Sequence, residues 1–258
     1  MKIIVLMKQV PNKDAVLRIG PDEKWINETD VAQQTNESDG YALEEALRLK
    51  EAKGEGEVVV CSLGPQSAKT VIKDALARGA ARAIHVVADQ SNKLSAYQIA
   101  KAIADAIREE NADLVFTGLQ SDDASYGQTG VILAELLGIP HATIVIEVDR
   151  SSLNSSLRVK RELESGWYQW FTYQLPSLLT IQSGISQIRY ASLKGIMAAK
   201  KKEIRDVTPN IEAFASAATV EKVYMPLKTK QTQMLGNGDA KAGAVELVEK
   251  LKSEVRVL

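Results

Sequence analysis

The chain contains a single cysteine, Cys61, among its 258 residues, and it lies inside the apolar run EVVVCSLGP. One cysteine cannot form a disulfide within a chain, a usage typical of proteins from a reducing compartment. A lone cysteine in an apolar run behaves as a small hydrophobic residue, so we expect Cys61 to be buried and unreactive. A disulfide-stapled secreted domain is therefore excluded.

Long hydrophobic runs are also missing. The first residues, MKIIVLMKQVPNKD, are apolar only as far as Met7 and are followed by Lys8 and Pro11. This segment is too short for the apolar region of a signal peptide and indicates a first strand instead. No other stretch approaches the length of a transmembrane helix. We therefore expect a cytoplasmic protein of bacterial type, with no targeting segment and no membrane insertion.

The common signatures of catalysis and of nucleic-acid binding are absent as well. The formal net charge is −1, so no overall field attracts nucleic acid, and we expect no such partner. No G-x-G-x-x-G follows the first strand, and no phosphate-binding loop of the G-x-x-x-x-G-K-[ST] type or nucleophile elbow occurs. His85 and His141 have no cysteine or carboxylate at ligand spacing. We expect no catalytic residues, no metal site and no substrate chemistry of the chain's own.

Alternating apolar and amphipathic segments predict an α/β fold. Strands are expected at 2–10, 57–64, 82–89 and 112–118, and helices at 38–54, 67–80, 95–111 and 129–138. Strands that alternate with helices are typical of a doubly wound, Rossmann-like, mostly parallel sheet. Three further strand-like pieces, at 142–150, 157–163 and 166–184, predict an antiparallel extension. The second of them alternates in polarity and the third carries an aromatic cluster, Trp167 to Tyr173, which favours a core or an interface over a stacking platform.

The periodicity weakens after about residue 190, and one amphipathic helix is predicted at 242–255. A helix at the end of an extended arm has difficulty burying its own apolar face. The arm either lies back on the domain or embraces another subunit.

The loop and helix at 117–138, TGLQSDDASYGQTGVILAELLG, form one candidate site. The loop leaves the carboxyl end of a parallel strand, where open α/β sheets bind ligands. It enters the helix through Gly127, Gln128, Thr129 and Gly130, and first-turn N–H groups favour an anion such as phosphate. The alternative is that Thr129 is a simple N-cap and that Asp122 and Asp123 are solvated turn residues.

A second polar stretch, QQTNESDG at 33–40, precedes the first helix. Asn36 and Asp39 could meet an adenine or ribose if the strands bring this stretch beside the 118–130 loop. Taken in isolation, a helix-capping role is favoured.

The segment RYASLKGIMAAKKKEI places the apolar residues Leu193, Ile196 and Met197 just before Lys200, Lys201 and Lys202. Physical reasoning alone leaves two interpretations open, a solvated helix start or a contact surface.

The order and spacing of several stretches resemble the β subunit of electron transfer flavoproteins along nearly the whole chain. The supporting stretches are ALEEALRLKE (42–51), SLGP (62–65), ADLVFTG (112–118), QTG (128–130), LPSLLT (175–180) and RYASLKGIMAAKKK (189–202). The last is the most specific.

The resemblance implies a non-enzymatic electron carrier that pairs with an α subunit. FAD would sit mainly on the α subunit at the junction, while this subunit would bury a structural AMP. The AMP-site residues implied are Leu6, Asn36, Glu37, Ser38, Asp39, Leu63, Gly118, Gln120, Ser121, Asp122, Gly127, Gln128, Thr129 and Gly130. The chain would then divide into a nucleotide-binding domain at 1–188, a recognition loop at 189–204, and an arm at 205–258 that wraps the α subunit.

The resemblance also implies an electron-donating flavin dehydrogenase as partner. Leu193 would anchor the loop in that partner, with Ile196 and Met197 packing beneath it, and all three would bind the partner together with Tyr190. Lys200 to Lys202 would orient an acidic partner. Other functions stay open: an adenine-nucleotide regulatory module, a bifurcating family member with a second FAD in place of AMP, and, less favoured, an enzyme acting alone.

Overall fold

The computed structural model of the protein describes residues 1–153, 155–211, 214, 219–227 and 232–257. The chain forms two compact units, Met1–Val223 and Tyr224–Leu258. The first unit contains the sheet, and the second contains the C-terminal helix.

Nine strands of the first unit form one sheet, and two form a small antiparallel pair. In chain order the strands are β1 (Lys2–Leu6), β2 (Gln9–Pro11), β3 (Gln33–Thr35), β4 (Glu57–Gly64), β5 (Arg82–Val87), β6 (Leu114–Gly118), β7 (His141–Asp149), β8 (Ser156–Glu162), β9 (Tyr168–Gln174), β10 (Ser177–Ile181) and β11 (Ile204–Val207). The order across the large sheet is β11-β5-β4-β1-β6-β10-β7-β8-β9. Its pairs are parallel from β11 to β7, and β8 and β9 extend it antiparallel.

Helices cover both faces of this sheet. The helices of the first unit are α1 (Glu37–Lys53), α2 (Lys69–Arg78), α3 (Ala96–Ile107), α4 (Thr129–Leu137) and α5 (Leu193–Ala199), and the second unit contains α6 (Ala240–Lys250). Successive strand residues point to opposite faces, so Ile3 and Val5 of β1 join the core cluster under α1 and α2. Ile4 joins the cluster under α3 and α4. The predicted α/β fold with a mostly parallel, doubly wound sheet is confirmed.

Cys61 lies in β4 with its side chain fully buried. Burial raises the pKa of its thiol to about 12, so the thiolate is absent at neutral pH. The prediction of an unreactive, structural cysteine is confirmed.

Two predicted strands are each divided in the structure. The first, at 2–10, ends at Leu6, and β2 resumes at Gln9 to pair with β3 instead of continuing in the large sheet. The third piece of the predicted antiparallel extension, at 166–184, forms two strands, β9 and β10. The second of them, β10, lies in the sheet between β6 and β7 and is parallel to both. All five residues of β10 are buried, whereas β9 is largely exposed. The two strands therefore lie in different environments, one inside the sheet and one near solvent.

The chain beyond residue 190 is more regular than its sequence suggests. After α5, the strand β11 pairs with β5 at the edge of the sheet, so the first unit runs on to Val223. His85 of β5 contributes to this edge, with Nδ1 3.2 Å from Oδ1 of Asp206 and Nε2 3.1 Å from the carbonyl oxygen of Gly64. These contacts give His85 the structural role predicted for it.

The second unit is built around α6, which continues as a π-helical turn at Leu251–Val255. Asp239 caps the helix through its carboxylate, which accepts from the N–H groups of Lys241 and Ala242. No residue of α6 is buried. None of the helices in the described ranges is long and apolar enough to cross a bilayer.

Candidate functional site: a cleft at the strand ends

A cleft of about 200 Å³ opens where β1, β4 and β6 end. These are three neighbouring parallel strands, so their carboxyl ends meet at the same edge of the sheet. Leu6, Leu63 and Gly118 from the three ends line the cleft. The edge is therefore a backbone-rich concavity with apolar walls, the usual form of a ligand site in this kind of sheet.

Asp39 holds the floor of the cleft together. Its Oδ2 accepts from the N–H of Lys8 at 2.7 Å, just past β1, and its Oδ1 accepts from the N–H of Gly118 at 3.0 Å, at the end of β6. Burial raises the pKa of this carboxyl to about 7, against the lowering effect of its hydrogen bonds and of Lys8. One buried side chain thus sets the spacing of two strand ends.

Asn36 joins the start of α1 to the loop that follows β6. Its Nδ2 donates to the carbonyl oxygen of Gln120 at 3.0 Å, and its Oδ1 accepts from the N–H of Asp122 at 2.9 Å. Ser38 adds a hydrogen bond to the same Gln120 carbonyl. Asn36 occupies the N-cap position of α1 but makes no side-chain cap bond, so the capping interpretation is wrong for its amide. The two polar stretches do lie side by side.

Two glycines have no room for a side chain at this edge. A Cβ on Gly118 would lie 2.2 Å from Oγ of Ser38 and 2.3 Å from Oδ1 of Asp39. A Cβ on Gly130 would lie 2.8 Å from Oγ1 of Thr117. The first turn of α4 and the end of β6 therefore approach their neighbours more closely than any other residue would permit.

The N-terminus of α4 opens into the cleft without a side-chain cap. Gln128 is the N-cap residue and makes no cap bond, while Thr129 is already the first helical residue. The alternative in which Thr129 is a simple N-cap is therefore wrong. Gly127 has a φ of 62°, in the left-handed region, which turns the backbone into the helix. The first-turn N–H groups thus have no partner from the cap side chain.

Lys8 is a cleft residue that the sequence analysis missed. Its Nζ lies 2.6 Å from Oδ1 of Asp123 and 3.3 Å from Oγ of Ser121. Burial opposes ionisation of Asp123, but Lys8 outweighs it and lowers the pKa of that carboxyl. Among the described residues that line the cleft, Lys8 is the only lysine or arginine. Its place just past the first strand end was the signal that could have identified it.

The structure gathers most of the predicted nucleotide-site residues in this cleft. Those that line it are Leu6, Asn36, Asp39, Leu63, Gly118, Gln120, Ser121, Gly127, Gln128, Thr129 and Gly130. Glu37, Ser38 and Asp122 are not among the lining residues. The hydroxyl of Ser38 donates to the Gln120 carbonyl, and the carboxylate of Asp122 accepts from the N–H of Glu37. In the described part of the chain, no group of three His, Cys, Asp or Glu side chains could hold a metal ion.

A second candidate surface is the segment around α5. Leu193 begins this helix and is 83% exposed, and Tyr190 is 95% exposed. Ile196 and Met197 are also exposed, so neither is buried beneath Leu193, and their i+3 and i+4 spacing places them on its side of the helix. Ser192 caps the helix by accepting from the N–H of Gly195 at 3.0 Å.

The three lysines that follow differ in their environments. Lys202 Nζ donates to the carbonyl oxygens of Leu76 and Ala80, at 2.8 and 2.5 Å, at the C-terminal end of α2. Such a cation satisfies the last carbonyls of a helix and offsets its dipole. Lys200 and Lys201 are exposed. A role in orienting partners thus does not fit Lys202.

The fold and the cleft define an α/β protein of the Rossmann-like type, with a cleft at the carboxyl edge of its sheet, where such sheets bind ligands. Residues 24–212 match the sequence model of the electron transfer flavoprotein domain, and the chain belongs to the electron transfer flavoprotein β-subunit family. It is 33% identical to the electron transfer flavoprotein subunit beta of Methylophilus methylotrophus, over 98% of this chain and 99% of that one. Identity is 35% to the Bradyrhizobium diazoefficiens subunit beta, over the full length of both. The Homo sapiens subunit beta is 34% identical over 81% of this chain and 82% of its own. A β subunit implies an α subunit as its partner.

Proposed function

We propose that the chain is the β subunit of a heterodimeric electron carrier. The complex accepts electrons from a flavin-dependent dehydrogenase through FAD held mainly by the α subunit, and passes them to a downstream acceptor. The chain itself performs no substrate chemistry. Family membership supports the carrier role, and the cleft at the ends of β1, β4 and β6 supports the proposal that this subunit binds a nucleotide.

The cleft fits AMP as a structural ligand. The uncapped first turn of α4, with Gly127 turning the backbone into it, offers N–H groups and a positive helix end to a phosphate. Leu6 and Leu63 supply apolar contacts suited to a base. Asp39 and Asn36 position these loops through backbone hydrogen bonds. A ligand that binds only the folded chain also stabilises it by mass action.

FAD, when bound, supplies the electron storage of the complex, and this chain contributes partner contacts. The apolar surface formed by Tyr190, Leu193, Ile196 and Met197 is suited to a pocket on a dehydrogenase, since large exposed apolar groups mark interaction sites. Residues 205–258 are proposed to contact the α subunit, and the absence of buried residues in α6 is consistent with a face that a partner covers.

Nucleotide analysis of the assembled complex tests this function. The chain is co-purified with candidate α subunits and denatured, and released nucleotides are identified by mass spectrometry. AMP and FAD in equal amounts support the proposal. Two FAD per heterodimer indicate a bifurcating complex instead. A stable monomer that turns over a substrate alone would overturn the carrier role.

A further inference from the structure

A hairpin between β2 and β3 reaches the cleft. Its two arms meet at an isolated bridge between Ile19 and Ile26, and the N–H of Gly20 donates to the carbonyl of Trp25 at 2.7 Å. Trp25 is half-buried and lines the cleft together with Glu28, to which its indole N–H donates at 2.7 Å. The hairpin thus contributes a large aromatic side chain to the wall of the cleft.

The tip of this hairpin is held by the last residues of the first unit. The N–H of Val223 donates to the carbonyl of Glu23 at 2.7 Å, and Nζ of Lys222 lies 2.9 Å from Oε2 of Glu23. Lys24 Nζ in turn donates to the carbonyl of Glu221. We name residues 221–223 the clamp. Three separate polar contacts therefore tie the clamp to two adjacent residues of the hairpin tip.

The clamp is a surface feature with no share in the core. The side chains of Lys222 and Glu23 are each 56% exposed. An exposed ion pair of this kind adds little to global stability. Segments held by few buried contacts open at a lower free-energy cost than the core does. Breaking the clamp is thus expected to free the hairpin while the sheet stays folded.

We propose that the hairpin is a lid on the cleft, that the clamp holds it closed, and that opening of the clamp limits release of the bound nucleotide. The inference rests on the proposed function in one respect, the presence of a nucleotide in the cleft. Val223 is joined directly to Tyr224, the first residue of the second unit. A subunit that binds the second unit therefore acts on the chain next to the clamp, which couples partner binding to nucleotide release.

Release of AMP tests the lid in a background that isolates Trp25. The chain has three tryptophans, so Trp167→Phe and Trp170→Phe leave Trp25 as the only one, and its fluorescence reports on the hairpin. In this background the protein is loaded with labelled AMP and diluted into excess unlabelled AMP, and the rate at which the label leaves the protein is the AMP release rate. Glu23→Lys and Lys222→Glu should each raise the AMP release rate about threefold, because the interaction free energy of an exposed ion pair corresponds to a factor of this size. The double variant restores the pair with reversed charges and should return the rate to its starting value.

A second pair of variants addresses the backbone bond. Val223→Pro removes the N–H that donates to Glu23, whereas Val223→Ala keeps it. The AMP release rate should rise about fivefold in Val223→Pro, because the net free energy of one hydrogen bond corresponds to a factor of about this size. It should stay unchanged in Val223→Ala. Binding of the α subunit should slow release in the wild-type chain and have no effect in Val223→Pro.

The outcomes separate the lid from the proposed function. A wild-type complex that contains no AMP overturns the nucleotide assignment itself. AMP that binds normally, with a release rate unchanged in Glu23→Lys, Lys222→Glu and Val223→Pro, overturns only the lid. Faster release in both single charge variants without recovery in the double variant also counts against the clamp.

Discussion

The guanidinium of Arg189 and the carboxylate of Glu44 are hydrogen bonded at 2.9 Å, although 145 residues separate them in the chain. Glu44 lies on α1 and is 2% exposed, and Arg189 continues outward to Glu51 on the same helix at 2.6 Å. Arg189 directly precedes the exposed Tyr190. The contact therefore fixes the start of the exposed segment around α5 to the buried helix α1.

Replacing Arg189 by Gln should lower the free energy of unfolding by about 1–3 kcal/mol, because it removes charged hydrogen bonds from a buried carboxylate. Arg48, which also bonds Glu44 at 2.6 Å, limits the loss. Urea denaturation measures it, and Arg189→Lys, which keeps the charge without the planar fork, should lose less. Equal stability of wild type and Arg189→Gln at neutral pH would contradict this role.

The same contact has a pH dependence with a defined sign. Burial opposes ionisation of Glu44, but hydrogen bonds from Arg189 and Arg48 outweigh it and lower its pKa below 4.5. A carboxyl with a lowered folded-state pKa contributes stability above the unfolded value and loses it as the pH falls through the folded value. The difference in the free energy of unfolding between wild type and Arg189→Gln should thus be largest at pH 7 and become smaller below about pH 4.

Gly118→Ala should destabilise the first unit by about 1–3 kcal/mol, the usual cost of overpacking. Its Cβ would meet Ser38 and Asp39 at 2.2 and 2.3 Å, and displacing them disturbs the cleft, so AMP content should fall as well. Gly40→Ala is the matched control, because its nearest neighbour would be Cδ1 of Ile188 at 3.4 Å and α1 favours alanine. Thermal unfolding and nucleotide analysis measure both effects.

Asp39→Asn should remove the part of the pH dependence of the free energy of unfolding that comes from the Asp39 carboxyl. The folded-state pKa of Asp39 is raised from 3.8 to about 7, chiefly by burial. A raised carboxyl pKa means that the folded state holds its proton more tightly, so stability falls as the pH rises through this interval. The stability advantage of wild type over Asp39→Asn should shrink by at most about 1.4 kcal/mol per pH unit between pH 4.5 and 6.5. Urea midpoints across this range measure it, and a constant difference would show that Asp39 does not titrate there.

The sequence predicted β4, β5 and β6 well because each is a largely apolar run that a helix follows. It could not divide residues 166–184, since the apolar strand β10 follows the aromatic β9 after only two residues. What separates them is the partner strand: β10 is buried between β6 and β7, whereas β9 pairs only with β8. Pairing partners far apart in sequence leave no local pattern.

The cleft was predicted in outline for a similar reason. The positions of Gly118 and Gly127 to Gly130 follow from the rule that ligands bind at strand carboxyl ends. The role of Asn36 did not follow, because its local sequence is that of an N-cap and only the tertiary structure offers it the backbone of Gln120 and Asp122.

Lys202→Gln and Lys201→Gln should behave differently, although the two lysines are adjacent. Lys202 donates to the carbonyls of Leu76 and Ala80, so its loss should cost about 1 kcal/mol in the free energy of unfolding. Lys201 is exposed, and its replacement should leave stability unchanged while slowing association with an acidic partner at low salt. Chemical denaturation and salt-dependent association rates distinguish them, and equal losses of stability would contradict the assignment.

Leu193→Ala should slow electron transfer from the dehydrogenase about tenfold while leaving the fold and the cofactors unchanged. The side chain is 83% exposed, so its truncation should alter the free energy of unfolding by less than about 0.5 kcal/mol. An apolar anchor in a partner pocket, by contrast, contributes more than about 1 kcal/mol to binding. Tyr97→Ala is the control, because it truncates an exposed side chain on α3, outside the cleft, the hairpin and the arm. The reduction rate of FAD by the dehydrogenase, measured with AMP and FAD content, gives the answer: loss of either cofactor in Leu193→Ala would make Leu193 a structural residue instead of a partner contact.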